Sequence, residues 1–241
     1  MAEVFVRKYL AFDIETATDV PGDDFDMASH RPLGICCAAA LLSDVEDPIL
    51  WHGTEADGAP APRLTRTEAS RVVHELMRFV SEGYTLLTWN GLGFDLDVLA
   101  EESGELYECK ALAMNHVDMM FHVFCNRGFP VAIDKAAQGL GIPGKTPGMS
   151  GKMAPKMWSD GRYAEVLGYV SQDVRMTLNV AVTCEKARRF QWLTRRGTTQ
   201  SFPLDTGWLT VHSALELPAP DTGWMTDPMP RSRFTQWLES P

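Results

Sequence analysis

Apolar positions along the chain fall into two kinds of run. Short unbroken runs, Lys8–Ile14 (KYLAFDI), Gly34–Leu42 (GICCAAALL) and Ile49–Trp51, read as buried strands. The turn residues Ser43–Pro48 join the second run to the third, so the three predict an antiparallel meander. Elsewhere the spacing is helical. Val72, Val73, Leu76, Phe79 and Val80 follow a Thr-x-x-Ser start at Thr67, and Val166, Leu167, Val170, Val174, Leu178, Ala181 and Val182 predict the longest helix, from Arg162 to about Phe190. Between them, Thr85–Trp89 (TLLTW) is a strand stopped by Asn90-Gly91, and a helix runs from about Asp95 to Glu102. Val117–Phe124 is apolar throughout and fits a strand or a helix, whereas Ile133–Leu140 is a short helix ended by Gly141 and Pro143. Pro143–Asp160, rich in proline and glycine around Lys145, Lys152 and Lys156, reads as a long basic loop of the kind that often carries function.

Beyond Phe190 the elements shorten, prolines multiply, and Trp208, Trp224 and Trp237 look exposed, which suggests an extension that wraps a domain or a partner. The expected division is therefore a domain over residues 1–190 and a C-terminal extension over 191–241. The chain of 241 residues, 45% hydrophobic and 22% charged, has the composition of a folded globular protein and not of a disordered or fibrous one. No run reaches the ~18 apolar residues of a membrane span, and Glu3, Arg7 and Lys8 interrupt any signal-like start, so the expected location is cytoplasmic, without a membrane partner. Five cysteines without a C-x-x-C pair read as reduced, packed thiols, and His116 and His122, six apart, do not share a helical face as zinc ligands would. A net charge of -10 opposes a polyanionic partner only if it is spread evenly. It is not: Lys145–Arg196 holds ten Lys and Arg against four acids.

Three groups of residues carry candidate chemistry. Asp13 and Glu15 flank Ile14 at the end of a buried strand, so alternation puts both carboxylates on one face, where they repel unless a cation lies between them. That pair alone is weak, because the strand also runs into the acidic stretch Asp19, Asp23, Asp24 and Asp26. Asn90-Gly91-Leu92-Gly93-Phe94-Asp95 joins a strand to a helix, where Asp95 also suits a helix start. Tyr169 and Asp173 are an i, i+4 pair on a helix that otherwise faces a core, so Asp173 needs a partner or a task. The order strand-D-x-E, strand-N-G-x-x-F-D, helix-Y-x-x-x-D is far more specific than any one of its parts.

On these motifs, FDIET (Phe12–Thr16), NGLGFD (Asn90–Asp95) and YVSQD (Tyr169–Asp173), the chain resembles the tyrosine-containing branch of the DEDD superfamily of 3′-to-5′ exonucleases. HVDMM (His116–Met120), LGIPGKT (Leu140–Thr146) and DGRYAEVLGYVSQDV are similar to free-standing exonuclease domains related to the proofreading domain of family B DNA polymerases. The match runs from about Tyr9 to Arg189, with Val170 where that subfamily often has cysteine. The resemblance implies an α/β, ribonuclease H-like fold, a mixed sheet flanked by helices. It also implies that Asp13, Glu15, Asp95 and Asp173 hold two divalent ions, Mg²⁺ or Mn²⁺, and that Tyr169 orients the attacking water, its ordinary pKa of ~10 suiting it poorly as a base. Thr16, Asn90 and Phe94 become substrate-binding candidates, with Asn90 equally suited to closing the turn. His116 and Asp118 stand behind them, Asp118 as a helix cap or a support of the metal site. The implied partner is the 3′ end of single-stranded nucleic acid, DNA ahead of RNA, with the extension a candidate contact for a protein partner or a second copy. An exoribonuclease is the alternative, and a non-catalytic nucleic-acid-binding or polymerase-accessory module is disfavoured by the complete set of carboxylates and tyrosine. A dinucleotide-binding enzyme lacks its third glycine after Gly91-Leu92-Gly93.

Overall fold

The structure is a computed structural model that describes residues 7–20, 27–144 and 148–240. Its centre is β1 (Tyr9–Thr16), which runs past the expected end at Ile14, so that Glu15 and Thr16 still belong to the strand. β2 (Ile35–Leu42) pairs antiparallel with β1, and β3 (Ile49–His52) antiparallel with β2, as the meander requires. β4 (Thr85–Thr88) runs parallel to β1, and the two-residue β5 (Val117–Asp118) parallel to β4, giving the order β3-β2-β1-β4-β5. This is the mixed sheet expected from the motifs. Its parallel half sets the carboxyl ends of β1 and β4 side by side, the usual place for a ligand in an open α/β sheet.

Alternation along the strands divides burial between two faces. Leu10, Phe12 and Ile14 join a core covered by α1 (Arg66–Ser81), α2 (Asp95–Ser103) and α3 (Leu106–Asn115). α4 (Met119–Arg127) follows β5 directly, giving Phe121 and Phe124 to that core and Met119 and Val123 to the opposite one. The opposite core, which takes Tyr9 and Ala11, is covered by α5 (Ile133–Leu140), α6 (Ala154–Ser159) and the long α7 (Tyr163–Ala187). Asp13 and Glu15 share the parity of Tyr9 and Ala11. Both carboxylates therefore lie on the α7 side of the sheet.

Four sequence expectations change. α1 is capped by Thr65 instead of Thr67: the Thr65 hydroxyl accepts the Glu68 N–H at 3.3 Å and the Glu68 carboxylate accepts the Thr65 N–H at 2.7 Å. That reciprocal box satisfies two helix-end donors. Val117–Phe124 is neither strand nor helix but both, because Asp118 ends β5 and caps α4. The long basic loop also gives way. Lys145 and Thr146 lie outside the described residues, but Gly151–Met153 is a 3-10 turn and α6 follows at once, with Pro155 in its first turn, where no amide donor is needed. α6 buries Ala154, Pro155, Met157 and Trp158, so the second half of this stretch is helical and anchored to the core.

The fourth change concerns the tail. β6 (Arg189–Leu193) and β7 (Thr199–Pro203) form a hairpin whose Phe190, Trp192 and Phe202 enter the α7-side core together with Trp208. α8 (Val211–Leu215) and α9 (Ser232–Thr235) deliver Val211, Ala214, Phe234 and then Trp237 to the other core. Trp208 is fully buried and Trp237 only 8% exposed, whereas Trp224, 68% exposed, matches the expectation. Each buried indole finds an acceptor, Ala181 O at 3.3 Å for Trp208 and Leu92 O at 2.7 Å for Trp237. All five cysteines are buried and free of disulfides. Among the described residues no helix is long and apolar enough to cross a membrane.

Candidate active site

β1 presents Asp13 and Glu15 on one face just before its register shifts between Glu15 and Thr16. α7 packs across that face, with Tyr169 and Asp173 on its buried side. One carboxylate oxygen from each of Asp13, Glu15 and Asp173 lies within 4.8 Å of the other two. Asp95 reaches the same place from the opposite layer as the first residue of α2. Its Oδ1 accepts the backbone N–H of Ile14 at 3.1 Å, and its carboxyl hydrogen-bonds that of Asp13. Asp95 thus joins the trio through Asp13 and the strand backbone and is not itself part of it.

These groups are costly to ionise together. Burial, and then the charges of Asp95, Glu15 and Asp173, hold Asp13 well above the usual carboxylate range. Burial pushes Asp95 up to about 6, although hydrogen bonds from Asp13 and from the Ile14 amide favour its charged form. A set of hard oxygen donors that is strained when ionised and has close spacing fits a divalent cation of the Mg²⁺ or Mn²⁺ type. Cation binding must then expel protons, so affinity rises as pH rises through the elevated carboxylate pKa values. Calorimetric titration with Mn²⁺ between about pH 5 and 8 should show tighter binding and fewer protons released at the higher pH. An affinity indifferent to pH over that range would contradict the assignment of raised pKa values.

The connection from β4 to α2 is held by side chains from below. Asn90 adopts a left-handed conformation, φ 75°, which asparagine tolerates better than most residues. Its N–H donates to Asp118 Oδ1 at 3.0 Å, the Leu92 N–H to Asp118 Oδ2 at 2.9 Å, and the Gly91 N–H to Thr88 Oγ1 at 3.1 Å. Asp118 Oδ1 also accepts the Phe121 N–H at 3.0 Å. His116 is buried and its pKa lowered by burial, so the ring is neutral. With Nδ1 donating to Ala113 O at 2.7 Å, Nε2 accepts from the Thr88 hydroxyl at 3.0 Å, which leaves that oxygen free to accept from Gly91. A side chain at Gly91 is excluded, since a Cβ would stand 2.5 Å from Thr88 Oγ1.

Of the residues singled out in the sequence, Asp13, Glu15, Asp95 and Asp173 come together, and Tyr169 lies one helical turn before Asp173 on the buried side of α7. Thr16 is buried at the end of β1, and Phe94, half-buried against the α1-side core, directly precedes Asp95. Asn90 closes the turn, Asp118 caps α4, and His116 is a core residue. Thr88 and Gly151 were not visible as site residues. Gly151 passes so close that a Cβ there would lie 3.6 Å from Glu15 Oε2. Thr88 precedes the Asn-Gly turn and could have been suspected from that position, whereas nothing local marks Gly151. The basic stretch is also partly neutralised in place: Lys156 pairs with Asp160 and Arg162 with Glu165.

The family model of the RNase H superfamily matches residues 51–184, more than half of the chain, and the chain belongs to that superfamily. The matched stretch contains Asp95, Tyr169 and Asp173, with β1 lying before it. Among solved structures, the fold is similar to that of the family B DNA polymerase from the hyperthermophilic archaeon Pyrobaculum calidifontis, with a TM-score of 0.52 and 20% identity. The similarity covers 75% of this chain but 25% of the polymerase, so the chain spans about a quarter of that protein's length. No curated protein sequence matches the chain. Superfamily and fold together support the relationship to DEDD-type exonucleases drawn from the three motifs.

Proposed function

We propose that the protein is a metal-dependent 3′-to-5′ exonuclease that hydrolyses single-stranded DNA and releases nucleoside monophosphates. The observation that carries this reading is the convergence of Asp13, Glu15 and Asp173 within 4.8 Å, from a strand and a helix far apart in sequence, with Asp95 bonded to the same strand. Asp13, Glu15 and Asp173 would hold one divalent ion, and Asp13 with Asp95 a second. Bound there, such ions lower the pKa of water and stabilise the departing 3′ oxygen. Membership of the RNase H superfamily supports nucleic acid as the substrate, and the likeness to a DNA polymerase fold supports DNA.

The chain's own groups do the rest. Carboxylates so close and so buried repel a phosphodiester until cations intervene, which couples substrate binding to metal binding. Tyr169, buried one helical turn before Asp173, would orient the attacking water by hydrogen bond. Tyr169→Phe should therefore lower kcat by about 10²-fold, the low end for a positioned proton-transfer group, and leave metal affinity unchanged. A full loss of activity would mean that the phenol itself moves the proton.

The direct test uses end-labelled single strands of DNA and RNA, each with a free or a blocked 3′ end, with Mn²⁺, Mg²⁺ or chelator. The reading requires stepwise loss from the free 3′ end of DNA only when a divalent ion is present. Degradation that survives chelation, or that ignores the 3′ block, would overturn it, and faster degradation of RNA would reassign the substrate.

A further inference from the structure

We infer that Asp118 is a positioning residue that sets the metal affinity of the site by holding the backbone turn from which Asp95 projects. The inference rests on the reading of the carboxylates as a metal centre and adds to it a residue that touches none of them. Asp118 is 1% exposed, and both of its oxygens are committed: Oδ1 to the N–H groups of Asn90 and Phe121, Oδ2 to that of Leu92. One buried carboxylate thus ties the start of α4 to two amides of the β4–α2 turn. A helix cap alone would need only the Phe121 bond.

The amide between those two, at Gly91, is held by Thr88, whose hydroxyl is oriented by neutral His116. From the outer side, the Trp237 indole donates to Leu92 O at 2.7 Å, and Phe234 lies so close to Gly93 that a Cβ there would meet its ring at 2.9 Å. The N–H groups of three successive residues and one carbonyl are therefore fixed, and the turn cannot relax in either direction. Asp95 begins the helix that this turn launches, and its Oδ1 in turn holds the Ile14 N–H, between Asp13 and Glu15. The path from Asp118 to α2 and β1, two of the three carboxylate-bearing elements, is a continuous chain of hydrogen bonds and backbone.

Asp118→Asn keeps the shape but converts one acceptor into a donor facing a backbone N–H. The measurement is the Mn²⁺ concentration that produces half of the metal-induced rise in melting temperature, without substrate, for wild type, Asp118→Asn and Val73→Ala. Val73, buried in α1, is not in this hydrogen-bond network and controls for lost stability alone. Asp118→Asn should raise the half-saturating concentration about tenfold, as loss of a group supporting metal ligands typically does. Val73→Ala should leave it unchanged. Thr88→Val should act in the same direction as Asp118→Asn, and Thr88→Ser, which keeps the hydroxyl, should restore the wild-type value. If Asp118→Asn does not fold, the Thr88 pair decides alone. Equal midpoints in Asp118→Asn and Val73→Ala, or in Thr88→Val and Thr88→Ser, would overturn the inference. A wild-type protein with no metal-induced shift would instead overturn the metal centre itself.

Discussion

Asp13→Asn is expected to lower exonuclease activity by roughly 10³–10⁴-fold, the equivalent of several kcal/mol of barrier, and yet to raise the melting temperature of the metal-free protein. Both effects have one cause. Asp13 is the carboxylate common to the trio and to the Asp95 pair, so its loss removes a donor shared by both proposed ion positions. In the metal-free fold the same carboxylate is a liability, because burial and then Asp95, Glu15 and Asp173 oppose its charge. For an acid with a raised folded pKa, the folded state holds its proton after the unfolded state has released it. Stability is thus undiminished below the ordinary carboxylate pKa and falls as pH climbs toward the folded one. At neutral pH the wild type in chelator carries that penalty and Asp13→Asn does not, while the amide can still donate to Asp95. In a chain of this size each ~1 kcal/mol regained reads as ~2–4 °C. The order of stabilities should reverse with saturating Mn²⁺, which only the wild type binds tightly. A variant that is less stable than wild type in chelator, or that keeps activity within tenfold, would show that Asp13 is neither strained nor central.

Trp208→Ala should destabilise the protein by about 3–5 kcal/mol, the usual cost of deleting a buried large aromatic, and lower the melting temperature by roughly 6–20 °C. Trp208 is fully buried, packs edge-on to His122 and Phe190, and ties its indole to Ala181 O on α7 and its backbone N–H to Glu185 at 3.2 Å. Glu185 also accepts the Tyr9 hydroxyl at 2.6 Å, so the first strand, the longest helix and the tail meet here. Trp224→Ala, sixteen residues on, should change stability by no more than about 0.5 kcal/mol, since that side chain is 68% exposed. Thermal melts of the two variants side by side test the division. Equal losses would mean that the tail does not contribute core residues as the structure describes.

Those two tryptophans show where sequence reading stops. Both lie in proline-rich, short-element sequence without periodicity, and the burial of Trp208 is decided by residues of other elements, from Phe190 and Ala181 back to His122. Trp237 is similar, its acceptor being Leu92 in the site turn. α6 escaped notice because proline and glycine signal loops on average, while Pro155 sits in the first turn of the helix, where no amide donor is needed. By contrast, β1 to β4, α2, α5 and α7 were legible from apolar runs and spacing, because each buries a face that the local pattern alone specifies.

By itself, the sequence determined the identities and order of the candidate ligands: Asp13 and Glu15 on one strand face, Asp95 at a strand-to-helix turn, Tyr169 and Asp173 on one helix face. Period-2 and 3.6-residue geometry impose these relations within each element. Only the tertiary structure decided that α7 lies on the same side of the sheet as Asp13 and Glu15 and brings Asp173 within 4.8 Å of them. It likewise decided that Asp118, Thr88 and Trp237 grip the turn bearing Asp95. These are relations between elements, set by how two cores pack on one sheet, and no local pattern encodes which distant side chain will supply a missing hydrogen bond.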